Sequence, residues 1–241
     1  MFVGADGCKA GWFTILLKEN DDWEIEVFPD ISSLWNKYKN ASWILLDVPI
    51  GLREKGYEER KCDKKARELL GSNRASSVFP APCRPAIYAY VKGYEEANKI
   101  NEQKTGRKLS LQTWNIIPKI REVDILFSKD EFAKSKIREI HPEICFWALS
   151  GHPMQHSKKK PEGQSERKQI LQAIYPCTED IIEHALSTYR RKDVKIDDIL
   201  DALSAAVTAR VGINKLESIP KKSESDSKGL KMEMIYCPYQ K

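Results

Sequence analysis

No C-x-x-C pair occurs among the six cysteines, which are scattered at positions 8, 62, 83, 145, 177 and 237. Their spacing removes the usual zinc-site pattern, and in a chain this long it points to a reduced, cytoplasmic protein. Also missing is any apolar run near the roughly 20 residues that a membrane span needs. Asp6 and Lys9 interrupt the first apolar stretch, so neither a secretory signal nor a membrane partner is expected. There is no internal repeat. Late glycines are isolated, at 151, 163, 212 and 229, so no second glycine-rich phosphate loop follows the first turn.

What is present is a charged globular chain. Of 241 residues, 41% are hydrophobic and 31% charged, with a net charge of +5. Residues 1–50 carry four lysines against eight acids, whereas residues 53–74 carry eight Lys/Arg against five. Residues 156–168 are again basic, with Lys158, Lys159 and Lys160 in a row. An acidic centre with basic outlying segments suits a cation-loaded site that receives a polyanion. On charge alone, a solvated surface explains the same pattern.

The opening reads as a three-strand meander: residues 1–5, 12–17 and 23–28, with a turn at 19–22. A helix over 30–39 and a strand over 42–47 follow. A strand–helix–strand step of that length implies a right-handed crossover and parallel pairing, which sets the fourth strand beside the first. Helices are predicted at 57–70, capped by Gly71, and at 87–102 and 114–127. A fifth strand is predicted at 136–140 and a helix at about 142–150. A basic loop at 152–163 leads to helices at 164–175, 178–190 and 197–211. Residues 214–229 read as a mobile polar segment, and 232–237 as a small terminal strand.

Three places offer carboxylates where apolar elements end. Asp6 follows strand 1, Asp47 follows strand 4, and Asp198 and Asp201 share a face of the last long helix. Each has a simpler explanation. Asp-Gly is a common turn pair, Asp47 can end its strand, and acids at a helix start favour the dipole. Capping accounts for Asp198 adequately but for Asp201 poorly, a full turn in. Glu139, at the end of strand 5, is a further candidate for the cluster. Convergent carboxylates repel one another and stay ionised only when cations compensate them. Hard oxygen ligands suit Mg²⁺ or Mn²⁺, and one or two such ions can drive phosphodiester hydrolysis.

The order of these elements resembles the RNase H-like fold and its Holliday-junction resolvase branch. More narrowly, the chain resembles an uncharacterised family of predicted RNase H-like nucleases. The matching segments are Gly4-Ala5-Asp6-Gly7-Cys8-Lys9-Ala10-Gly11-Trp12, Asp47-Val48-Pro49-Ile50-Gly51-Leu52, Arg60-x-x-Asp63-x-x-Ala66-Arg67, Ser76-Ser77-Val78-Phe79-Pro80, Glu139-x-His141-Pro142-Glu143 and Asp201-Ala202-Leu203. They span nearly the whole chain. The resemblance implies one α/β domain over 1–241. Its mixed five-stranded sheet would have the order 3-2-1-4-5, flanked by helices, with a helical insertion over about 53–135.

It further implies a metal-dependent nuclease acting on DNA or RNA. Asp6, Asp47 and Asp201 would be metal ligands, and Asp198 and Glu139 would complete the catalytic cluster. Substrate contacts would come from Lys9, Arg60, Arg67, Ser76, Ser77 and Arg84. A charged ladder on a solvated face accounts equally for Arg60, Asp63 and Arg67, and a packed connector for the proline loop beside Ser76 and Arg84. His141 is a candidate base, although a histidine beside a helix start is more often structural. Glu143 reads as a helix-start acid after Pro142. Two other functions remain open. One is a nucleotide-binding phosphotransferase of the actin/sugar-kinase type, which begins with a similar strand-Asp-Gly turn but needs the second phosphate loop. The other is a non-catalytic nucleic-acid-binding protein with the same fold.

Overall fold

The computed structural model describes residues 1–238. Its main sheet contains β1 (Phe2–Cys8), β2 (Gly11–Leu17), β3 (Trp23–Phe28), β4 (Trp43–Leu46) and β5 (Ile137–Glu139) in the order 3-2-1-4-5. β1, β2 and β3 pair antiparallel, while β4 runs parallel to β1 and β5 parallel to β4. The expected crossover is α1 (Ile31–Tyr38), capped by Asp30, whose side chain accepts from the Ser33 N–H at 2.8 Å.

Alternation along the strands divides the core. Val3, Ala5, Trp12, Leu16, Ile44 and Leu46 pack with α1 and with α5 (Leu111–Lys129). Phe13, Ile15 and Leu17 face α8 (Pro161–Ile174), α9 (Thr178–Thr188) and α10 (Ile196–Val211). Phe2 and Leu45 lie against Ala205 and Ala209 of α10. The contact between α10 and β1 is close. A Cβ at Gly4 would lie 2.1 Å from the Ala202 carbonyl oxygen and 2.2 Å from the Ala206 nitrogen. The small residues of α10 and the missing side chain of Gly4 therefore place this helix directly on the strand that carries Asp6.

Between β4 and β5 the chain forms the helical insertion: α2 (Lys61–Arg74), α3 (Arg84–Ala89), α4 (Tyr94–Thr105), α5 and α6 (Glu131–Lys136). The single helix expected over 87–102 is two, because Gly93 sits at φ 96, outside helical geometry. α2 starts at Lys61 rather than 57, and Gly71 breaks it with φ 64. α7 (Pro142–Ser150) follows β5 directly. The polar segment 214–229, expected to be mobile, instead carries β6 (Glu217–Ser225), paired antiparallel with β7 (Lys231–Tyr236). Asp226 fixes that hairpin: its side chain accepts from the N–H groups of Leu52, Lys228 and Leu230 at 2.8–2.9 Å. β7 lies against β5, where Glu233 pairs with Arg138.

Candidate metal centre

Asp6 belongs to the face of β1 that carries Phe2 and Gly4. It lies within the strand, and the turn falls later, at Lys9-Ala10. The Asp47 N–H donates to the Ala5 carbonyl at 3.1 Å, which prolongs the β1–β4 ladder by one step and points Asp47 to the same face. Asp201 is a full turn into α10, on the side packed against β1. The expected convergence is present: Asp6, Asp47 and Asp201 each offer a carboxylate oxygen, all within 4.8 Å of one another.

These groups are electrostatically frustrated. Burial, and then the charges of Asp47 and Asp201, push the Asp6 carboxyl well above its ordinary range. Asp47 is pushed up to about 8 by burial and by Asp201. Asp201 is 1% exposed and also raised by burial, against the pull of Lys158. Lys158 comes from the basic connector between α7 and α8, and its ammonium donates to Asp201 Oδ2. Burial opposes its charge, but Asp201, Asp6 and Asp47 outweigh that and hold it well above the ordinary lysine range.

The second Asp201 oxygen, Oδ1, is buried without a hydrogen-bond partner, and so is Oε2 of Glu143, which is 6% exposed. Glu143 gives its other oxygen to Arg167, and its charge reaches both Asp47 and Asp201. A trio of oxygen donors with an orphaned buried lone pair fits a hard divalent cation. Lys158 and Glu143 are the neighbours that sequence reasoning missed. A lysine run and an acid after proline both have ordinary surface explanations.

The other expected residues divide. Asp198 accepts from the N–H of the N-cap residue Lys195 at 2.8 Å, as the third-position acid of a capping box; burial pushes it up to about 6, against that hydrogen bond. It is not among the converging trio, although its charge reaches Asp6. Glu139 is not among the converging trio, although it lines the same cleft as Asp47 and its charge reaches that carboxyl. There it meets Arg60, which is 3% exposed and donates to both Glu139 oxygens at 2.8 Å and to Asp63 at 2.5 and 3.1 Å. Burial still leaves Glu139 raised to about 7, with Arg60 restraining it. Arg60 also donates to the Ile50 and Gly51 carbonyls, so its donors are spent inside the protein. Arg60 and Asp63 are thus a buried pair and not a solvated ladder, and although Arg60 lines the cleft, a phosphate would have to displace one of these partners.

Arg67 donates to the Val78 carbonyl at 2.9 Å and pairs with Glu59, tying down the proline loop. Arg84 is 4% exposed and bound by Asp124, Glu54 and Asp226, which fastens the β6–β7 hairpin to the insertion. Neither lines the cleft at the C-terminal ends of the parallel strands. Lys9, Ser76 and Ser77 do line the cleft at the C-terminal ends of β1, β4 and β5, together with Asp47, Lys158, Lys159 and Lys195; its volume is about 910 Å³. Ser77 also donates to the Arg74 carbonyl. His141 caps α7, accepting at Nδ1 from the Glu143 N–H at 3.2 Å and facing the Ser77 carbonyl through Nε2 at 3.3 Å. Burial lowers its pKa.

Fold and site together define an α/β protein with a carboxylate trio at the C-terminal edge of its parallel strands, one member of which, Asp47, lines a cleft. The chain belongs to the family described as "Protein of unknown function (DUF429)", whose model matches residues 4–225. No curated protein and no solved structure matches it.

Proposed function

We propose that this chain is a cytoplasmic, metal-dependent nuclease of RNase H-like type, hydrolysing phosphodiester bonds in DNA or RNA. The observation that carries the reading is the convergence of Asp6, Asp47 and Asp201 from two adjacent strands and one helix. The sheet order and the direction of its strands support the RNase H-like assignment. Asp6, Asp47 and Asp201 would hold Mg²⁺ or Mn²⁺. The metal, when bound, supplies Lewis acidity at the phosphate and lowers the pKa of an attacking water. The chain's residues do the rest. The trio fixes the position of the ion, and Lys158 offsets its negative charge. The exposed lysines 9, 159 and 195 attract the polyanion to the cleft.

The phosphotransferase reading gains no support from the late glycines. Gly151 ends α7, Gly163 lies inside α8, Gly212 closes α10, and Gly229 sits in the β6–β7 turn. The test is a screen of single-stranded, duplex, hybrid and branched substrates with Mg²⁺ or Mn²⁺, using Asp47→Asn as control. Cleavage by the parent and none by the variant supports the nuclease. Nucleic-acid binding without cleavage of any substrate favours the non-catalytic alternative.

A further inference from the structure

Lys158 is held in place more firmly than a surface lysine. Arg74 donates to the carbonyls of Met154 and Gln155 at 2.8 Å each, and the N–H groups of Gln155 and His156 donate to Glu166 at 2.7 and 3.0 Å. Arg167 donates to the His156 carbonyl at 3.1 Å. On the far side, Gln164 donates to the Lys158 carbonyl at 3.3 Å, and the Lys160 N–H to the Ser157 carbonyl at 2.9 Å. Gly163 lets α8 approach this segment: a Cβ there would lie 2.1 Å from the Ser157 carbonyl oxygen. The connector is thus clamped on both sides of the residue whose ammonium enters the trio. Lys159 and Lys160, its neighbours, stay exposed.

We propose that Lys158 is the second cation of this centre, so that the site takes one divalent ion per chain rather than two. The inference rests on the metal reading above and refines it. To bind a metal, all three carboxylates must be ionised. One ammonium and one divalent ion then neutralise them, whereas two divalent ions beside the ammonium leave an excess of positive charge. The geometry allows both occupants. Lys158 takes Asp201 Oδ2 and leaves Oδ1 without a partner for the ion. In the two-ion arrangement the second ion stabilises the charge that develops on the leaving oxygen. Here the ammonium, on the cleft wall beside Asp47, supplies that charge.

Equilibrium dialysis against Mn²⁺, with free Mn²⁺ read by its electron paramagnetic resonance signal, tests this without reference to activity. The parent should bind one Mn²⁺ per chain. Lys158→Gln should bind two, the first at least about tenfold more tightly because a repelling charge has gone. Lys158→Arg keeps the charge and should remain at one. Two ions per parent chain would overturn the inference and leave the metal reading intact. One ion with unchanged affinity in Lys158→Gln would overturn it as well. No Mn²⁺ bound to the parent would remove the metal reading itself, and the inference with it. If Lys158→Gln folds poorly, two ions per parent chain still overturn the inference.

Discussion

Glu139 faces Arg60 through both guanidinium arms, 2.8 Å each, although it lines the same cleft as Asp47. Two acids at neighbouring strand ends thus have different jobs: Glu139 is compensated within the protein, whereas Asp47 is left facing other acids.

That contrast can be measured. Arg60→Met would strand Asp63 and Glu139 together in the interior, at a cost of about 3–5 kcal/mol. Urea unfolding of the metal-free chain should report the loss. A change under about 1 kcal/mol, the range of exposed pairs, would return Arg60 to the surface reading.

Asp47 should behave in the opposite way. In the folded chain it keeps its proton to about pH 8, whereas unfolded it loses it near the ordinary aspartate value of about 4. Between those limits the folded state binds more protons, so metal-free stability should fall as pH rises from about 4 to about 8. Asp47→Asn should remove this contribution and melt higher than the parent at pH 8–9. Saturating Mg²⁺ or Mn²⁺ should raise the parent's melting temperature most at that pH and the variant's little, because a ligand stabilises only the state it binds. A flat parent profile with no response to either ion would make the trio structural.

The helix that carries Asp201 is positioned by an absent side chain. Gly4→Ala should push α10 away from β1 and destabilise the chain by about 1–3 kcal/mol. Mn²⁺ affinity should weaken as well, since Asp6 and Asp201 move apart, and isothermal titration would detect it. An unchanged affinity would show that the trio tolerates the shift.

Nucleic-acid binding should distinguish two kinds of basic residue. Replacing Lys9 and Lys159 with alanine should weaken affinity and reduce the salt slope by about 1 for each phosphate no longer neutralised. Arg67→Ala, which loosens only the proline loop, should leave the slope unchanged. The reverse result would restore the substrate role that the sequence suggested for Arg67.

The sheet order was readable because it rests on local patterns. A meander, a short crossover and two apolar strands leave few topologies open, and the same reasoning brought Asp6, Asp47 and Asp201 together. The assignments that went astray concern partners distant in sequence. Arg60 and Asp63 at helical spacing look alike on a wet face or in a buried triad, and only Glu139, arriving 79 residues after Arg60, decides which. Asp226 likewise orders the β6–β7 hairpin by reaching Leu52, a partner that local composition does not reveal. Lys158 was hidden among lysines, its distinction being the backbone clamp set by Arg74 and Arg167.

The hairpin beside β5 has a further consequence. β5 is only three residues long, and β7 lies against it through Glu233 and Arg138. The other rim, β3, carries Glu24 and Glu26, which pair with Lys18 and Lys37. One border strand is very short and the other charged, so neither invites strand addition by a second molecule. Concentrated samples should therefore resist edge-to-edge aggregation, and any self-association should use helical faces.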